Sequence, residues 1–340
     1  MKSAKSKSFK SNFPYLILFL TLIAGFAIGL LVKGTIFDTN SSNLKALRLG
    51  GYKFISPLLF CDAGNSEEST DQKLENKIKQ LVDKEVESGN VNTASVFFRD
   101  IKSGNQININ PKEKFYPASL HKIPVMIAYF KLARTDPKIL DKKIMVSFEE
   151  DTNSVQGIKP KDYAKNGRTY SVQELIEKMI KHSDNNAAYA LTYNIDQNLL
   201  DQTFKDLKIP YPTSEVADYI SASDFSYFFR VLYNATYLKR DLSERALNIL
   251  SEVDYKEGLV AGVPKDVPVA HKYGLGGNID RSNSVYNELH DCGIVYHPRE
   301  PYFLCVMTKS ISDTPIIEST IKSISSEVYK EVERAANVSP

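Results

Sequence analysis

The chain has 340 residues, of which 42% are hydrophobic, enough to bury the core of one large domain or of two interlocked lobes. Its 43 basic and 41 acidic residues leave a formal charge of +2, and no arginine-rich run indicates nucleic-acid binding. The three cysteines and five histidines are scattered, without metal-site spacing. We therefore expect no zinc or other metal site and no cofactor.

The N-terminal segment has the pattern of a membrane anchor. Residues 1–13 form a basic tail with four lysines and no acid, and residues 14–32 carry no charge. A helix of that length spans a bilayer, and the positive-inside rule leaves the tail in the cytoplasm. A cleaved signal peptide is the alternative, but residues 33–35 offer no small-x-small cleavage site. We predict an uncleaved single-pass anchor at the cell membrane, with the rest of the chain outside the cytoplasm.

Residues 33–66 read as a stalk and an apolar lead-in, and residues 67–337 as one folded domain. Apolar residues at helical spacing open the domain, and this helix ends at Gly89. The pattern then predicts two strands, a mostly helical stretch from Ser119 to about residue 250, three strands and a last helix. The five strands are predicted at residues 94–101, 107–109, 267–273, 284–297 and 301–308.

This order predicts an α+β fold. The simplest packing is a five-stranded antiparallel sheet flanked by the terminal helices, with an all-helical lobe inserted between strands 2 and 3.

A serine and a lysine, Ser119 and Lys122, lie one turn apart if Ser119 begins a helix, so the hydroxyl and the amine can touch. A neighbouring base makes a serine nucleophilic by taking its proton, and a buried lysine can be that base. Alone, this motif is weak: the same spacing occurs at residues 42–45 and 319–322. Ser119 alone is more simply a helix N-cap.

Two further motifs follow in order, Ser183-Asp184-Asn185 between two predicted helices and Lys272-Tyr273-Gly274 on the first strand after the helical stretch. Alone, the first is most often an interhelical turn and the second a solvated strand lysine. Ser-x-x-Lys, Ser-Asp-Asn and Lys-Thr-Gly are the motifs of class A β-lactamases and penicillin-binding proteins. In motif order and element layout, residues 67–337 resemble this superfamily of serine hydrolases.

The resemblance implies a role for each motif residue in acyl transfer. Ser119 would be the acylated nucleophile, Lys122 its neutral base, and Ser183 the proton relay to the leaving nitrogen. The charge of Lys272, burial and the positive end of the helix would all lower the pKa of Lys122.

The same resemblance assigns the substrate contacts. Asn185 would hydrogen-bond the acylamide side of the substrate, and Lys272, with Tyr273 and Gly274, would bind its carboxylate end. The oxyanion hole would be the backbone N–H groups of Ser119 and Leu275.

Two features depart from the family pattern. Tyr273 stands where the family usually has threonine or serine, so a bulky ring replaces a short hydroxyl that binds the substrate carboxylate. The Glu-x-x-Leu-Asn pattern that activates the deacylating water is absent between the second and third motifs. The loop at residues 209–220 offers only Glu215 and Asp218, each more simply a solvated acid. We therefore expect slow deacylation.

The cysteines allow one internal disulfide outside the membrane. Cys292 and Cys305 lie nearly opposite on paired strands, and Cys61 is the other candidate partner. Because bridges directly across paired antiparallel strands fit disulfide geometry poorly, we favour Cys61–Cys292.

Taken together, the sequence predicts a membrane-anchored, β-lactamase-like serine hydrolase that β-lactams acylate at Ser119. One alternative is a penicillin-binding DD-peptidase or transpeptidase acting on the stem peptides of peptidoglycan. Another is a sensor module that binds β-lactams or peptidoglycan without turnover. The expected partners are a β-lactam or stem peptide and the membrane through residues 14–32, with no nucleic acid.

Overall fold

A computed structural model describes residues 47–60, 72–210, 218–279 and 285–338. The chain divides into two units, Met1–Leu47 and Arg48–Pro340. The predicted tail, the predicted anchor at residues 14–32, Cys61 and Glu215 lie outside the described residues. No helix in the described ranges is both long and apolar enough to cross a membrane.

The described residues form nine strands and eight α-helices. The strands are β1 (Leu47–Arg48), β2 (Leu58–Phe60), β3 (Thr93–Asp100), β4 (Gln106–Ile109), β5 (Lys143–Met145), β6 (Thr169–Ser171), β7 (Val269–Ile279), β8 (Val285–Val295) and β9 (Tyr302–Lys309). The helices are α1 (Gln72–Glu87), α2 (Lys122–Ala133), α3 (Val172–Lys181), α4 (Asn185–Tyr193), α5 (Gln197–Leu207), α6 (Ala222–Tyr233), α7 (Arg240–Ser251) and α8 (Thr314–Val338).

The central sheet is five-stranded and antiparallel, in the order β4-β3-β9-β8-β7. The terminal helices α1 and α8 pack on each other and on this sheet, while α6 contacts β3, β8 and β9. Residues 302–307 of β9 are buried throughout, as expected for a central strand covered on both faces. The helical lobe lies in the chain between β4 and β7. The predicted α+β architecture with a five-stranded antiparallel sheet is confirmed. The prediction of an all-helical lobe is wrong, because the two-stranded sheet β5-β6 also lies in this part of the chain.

The edge strand β7 differs from its prediction, because it continues past Tyr273 to Ile279. The predicted strand covers only residues 267–273, and the residues that follow include Gly274, Gly276 and Gly277, although glycine disfavours strand interiors. In the structure they remain paired to β8. At Gly274 and Gly276, the missing side chains let β7 approach the turn around Ala118 closely.

Helix α2 is the centre of the helical lobe. Its residues from Ile123 to Phe130 are all buried, as in a helix enclosed on every side. This burial fixes the residues at its N-terminal end, including Lys122.

The predicted Cys61–Cys292 disulfide is wrong, because Cys292 is bonded to Cys305. The register of β8 and β9 places these two residues directly opposite each other, with 3.9 Å between their Cα atoms. The bridge therefore links facing residues of two paired strands, the arrangement that the prediction disfavoured, at a sequence separation of 13.

Candidate active site

Ser119 lies in a short 3-10 helix, Ala118–His121, that leads directly into α2. The preceding residue, Ala118, has a left-handed backbone with φ of +46°. The turn is packed against β7: a Cβ added to Gly274 would lie 3.2 Å from the backbone nitrogen of Ser119. Only a glycine lets the strand pass so near the proposed nucleophile.

The amine of Lys122 is buried and points across the site. It donates hydrogen bonds to the Ser183 carbonyl oxygen at 2.6 Å, to Ser183 Oγ at 3.1 Å and to Asn185 Oδ1 at 2.7 Å. The predicted contact between this amine and the Ser119 hydroxyl is not among its hydrogen bonds, and within the described residues that hydroxyl has no hydrogen-bond partner. The structure therefore joins Lys122 to the second motif, with Ser119 one turn away.

Ser183 lies between two lysines. Its hydroxyl oxygen accepts a hydrogen bond from Lys122 Nζ and another, of 2.9 Å, from Lys272 Nζ on β7. Its backbone is left-handed, with φ of +57°, a conformation uncommon outside glycine and frequent at functional sites. The three sequence motifs thus meet at the Ser183 hydroxyl.

Both amines have lowered pKa values. Burial, only partly opposed by the carboxylate of Asp184, lowers the pKa of Lys122 to about 7. Burial, and then the charge of Lys122, hold the pKa of Lys272 well below its ordinary value, with Asp291 acting the other way. A neutral amine that can accept a proton is therefore accessible near neutral pH.

Asp184 organises the loop between α3 and α4. Its buried carboxylate accepts hydrogen bonds from Asn153 Nδ2 at 2.8 Å, from the Ala164 backbone N–H at 2.7 Å and from the Asn186 backbone N–H at 2.9 Å. Asn153 Oδ1 also accepts from the backbone N–H of Asn185. Sequence reasoning missed Asn153, because it lies thirty residues from the motif in a loop without a recognisable pattern.

A second group that the sequence analysis missed holds the segment before Ser119. Glu288 Oε2 accepts a hydrogen bond from the Tyr116 backbone N–H at 2.9 Å, and His290 Nε2 lies 2.9 Å from the Tyr116 carbonyl oxygen. Both side chains are buried on β8. Their signal in the sequence was a group of four polar residues, Asn287, Glu288, His290 and Asp291, in the middle of a strand with apolar ends.

Tyr273 is buried beside Lys272. Its ring stacks on that of Tyr255, with the ring centroids 4.2 Å apart. The Lys272 amine lies 4.1 Å from the centre of the Tyr273 ring. Burial raises the pKa of Tyr273 to about 12, so its hydroxyl stays neutral at physiological pH.

The remaining predicted residues lie at the margins of this site. Leu275 follows Gly274 on β7, and its side chain touches the loop at Gly157. His121, between Ser119 and Lys122, packs against Phe204, and its Nε2 lies 2.7 Å from the Tyr219 hydroxyl. Asp218 is paired with Lys309 at 2.5 Å.

Within residues 72–210, 218–279 and 285–338, no carboxylate is hydrogen-bonded to Ser119, Lys122 or Ser183. Across those same ranges, no group of three or more His, Cys, Asp or Glu side chains is placed to hold a metal ion.

The family model of the β-lactamase enzyme family matches residues 73–332. The chain belongs to that family. Residues 73–332 are most of the chain and contain all three motifs. No protein of curated function matches the sequence.

Solved structures of β-lactamases and of PBP-A share the fold of this family member. PBP-A superimposes with a TM-score of 0.63 at 24% identity, covering 78% of this chain and 98% of its own. The TLA-1 extended-spectrum β-lactamase gives a TM-score of 0.64 at 17% identity, covering 76% of this chain and 99% of its own. A class A β-lactamase from Bacteroides cellulosilyticus gives a TM-score of 0.63 at 20% identity, covering 77% of this chain and 99% of its own. These likenesses show that the chain has a β-lactamase-like fold.

Proposed function

We propose that this chain is an active-site serine hydrolase that β-lactams acylate at Ser119 and that releases the acyl group slowly. The observation that carries the proposal is the Ser183 hydroxyl held between the amines of Lys122 and Lys272, next to the turn that bears Ser119. A mutant of PBP-A, which shares the fold, has been solved as an acyl-enzyme complex with penicillin-G.

Acylation needs a nucleophile, a base and a path for one proton. Ser119 Oγ attacks the amide carbonyl carbon while neutral Lys122 accepts the hydroxyl proton. The C–N bond then breaks, and the proton passes from Lys122 through the Ser183 hydroxyl to the leaving nitrogen. The developing oxyanion lies at the backbone N–H groups of Ser119 and Leu275. The products are an ester on Ser119 and a neutral amine, which for a β-lactam stays tethered to the acyl group.

Deacylation requires a water activated by a base. In the described part of the chain no carboxylate is hydrogen-bonded to the three groups that move the proton. We therefore expect the ester to persist much longer than it takes to form. The same reasoning supports a second candidate function, a penicillin-binding DD-peptidase or transpeptidase whose natural acyl donors are the stem peptides of peptidoglycan.

Intact mass spectrometry of the full-length protein in detergent, mixed with penicillin-G and followed over time, tests the proposal. The expected result is an adduct of the whole penicillin mass that forms in wild type, decays slowly and is absent in Ser119→Ala. An adduct that never decays, combined with release of the terminal residue from a stem peptide, favours the DD-peptidase. If wild type and Ser119→Ala behave alike, with no adduct and no turnover, the assignment of Ser119 fails for β-lactams and the non-turnover binding module is favoured.

We also propose that residues 14–32 anchor the protein in the cell membrane with the catalytic domain outside the cytoplasm. The support is the uncharged stretch behind a basic tail in the sequence. Sodium carbonate extraction of membranes should leave the full-length protein in the pellet. Externally added protease should remove the domain from intact spheroplasts. Release by carbonate, or protection from the protease, would contradict this location.

A further inference from the structure

The amine of Lys272 is enclosed. Lys272 has no exposed surface, and its amine donates hydrogen bonds to Ser183 Oγ at 2.9 Å and to the Tyr273 carbonyl oxygen at 3.0 Å. A substrate carboxylate could reach the Lys272 amine only if one of these partners, or the aromatic ring that covers the amine, moved away.

The ring above it is Tyr273, and it is wedged in place. Its exposed fraction is 4%, and it stacks on Tyr255 at an interplanar angle of 26°. On one side, Tyr255 is backed closely by the chain at Gly258. A Cβ added to the neighbouring Gly258 would lie 3.1 Å from Tyr255 Cε1 and 2.4 Å from Asp291 Oδ2. The two rings therefore form a wall at the end of the site that Lys272 occupies.

This wall changes what the site can bind. A carboxylate placed against it would lose its hydration without gaining an ammonium partner, and an unpaired charge out of water is strongly disfavoured. The second amine, that of Lys122, is also buried and is committed to Ser183 and Asn185. An ester or amide at the same position would bring no charge to desolvate and could pack against the aromatic face.

We propose that Tyr273 closes the carboxylate subsite, so that this enzyme prefers acyl donors that are uncharged beside the scissile amide nitrogen. The inference rests on the proposed acylation of Ser119 and specifies its substrate class. The preferred donors carry an ester or an amide at this position, which includes chains that continue beyond the scissile bond. Donors that carry a free carboxylate there are disfavoured.

Benzylpenicillin and its methyl ester differ only in this charge and make a matched pair of probes. We would measure the second-order rate constant for acylation of the full-length protein by each probe, by intact mass. Each constant is divided by the rate of hydroxide-catalysed ring opening of the same probe, which removes intrinsic reactivity. The quantity compared is the acid-to-ester ratio of these normalised constants in wild type, Tyr273→Thr and Tyr273→Phe.

In wild type the ratio should be near one or below it. Tyr273→Thr should raise the ratio by about tenfold or more, as expected when one charged hydrogen bond to the carboxylate becomes available. Tyr273→Phe keeps the ring and should keep the low ratio, whatever its absolute rates. Thermal unfolding of each variant shows whether it is folded.

A wild-type ratio well above ten overturns the inference while leaving acylation at Ser119 intact. So does a folded Tyr273→Thr variant with the wild-type ratio. If neither probe forms a Ser119-dependent adduct, the proposed function itself fails, and the inference fails with it. The wild-type and Tyr273→Phe measurements decide the matter even if Tyr273→Thr does not fold.

Discussion

Replacing Gly274 by alanine tests how closely β7 positions the proposed nucleophile. The added Cβ would lie 2.7 Å from the Pro117 carbonyl oxygen and 3.2 Å from the backbone nitrogens of Ser119 and Leu120. All three are backbone atoms, so no side chain can turn aside to make room. Ordinary contact begins at 3.4 Å, and the strand and the 3-10 helix must therefore separate by about 0.7 Å.

This displacement falls on the turn that carries Ser119. A misplacement of about 1 Å at a reacting group can lower the rate by roughly 100-fold, so we expect acylation to slow by about 10- to 100-fold. Overpacking of this kind also lowers the free energy of unfolding by about 1–3 kcal/mol. The acylation rate with penicillin-G and the midpoint of urea unfolding measure the two effects separately.

Gly277→Ala is the matched control on the same strand, because the atom nearest to its added Cβ is the Tyr286 carbonyl oxygen at 3.8 Å. It should acylate as wild type does. Gly276→Ala should lie between the two, since its Cβ would meet the Ala118 Cβ at 3.2 Å. If Gly274→Ala acylates at the wild-type rate, or if all three variants lose activity equally, the contact between β7 and the turn does not set the position of Ser119.

Three further predictions concern charges and the disulfide. With the pKa of Lys122 lowered to about 7, the wild-type acylation rate should rise with pH through about 7 and then level off, whereas Lys122→Met should give a flat profile roughly 100-fold lower. Asp184→Asn removes the charge that raises the pKa of Lys122, so the midpoint of this profile should move to lower pH. Its amide also sets a donor against the Ala164 N–H, which should lower the free energy of unfolding by about 1–3 kcal/mol in urea titrations. Reducing Cys292–Cys305 should lower that free energy by about 2–3 kcal/mol, and Cys305→Ala should abolish the effect of the reductant.

Much of the fold could be predicted from the sequence because its signals are local. The apolar stripe of α8, which includes Ile317, Ile321 and Ile324, repeats at helical spacing and is fully buried in the structure. Each strand either alternates apolar and polar residues or is apolar along its length, and the order of the strands and helices along the chain allows few packings. The three motifs, which begin at Ser119, Ser183 and Lys272, could likewise be recognised, because each consists of consecutive or nearly consecutive residues.

Tertiary structure alone decided which of these groups touch. The Lys122 amine contacts Ser183, sixty-one residues away, and not the serine one turn before it. The pairing of Cys292 with Cys305 depends on the register of β8 and β9, and the position of Tyr273 depends on Tyr255 behind it. A periodic pattern specifies which face of an element is buried. Contacts between distant residues depend on strand register and side-chain rotamers, which are set when the whole core packs.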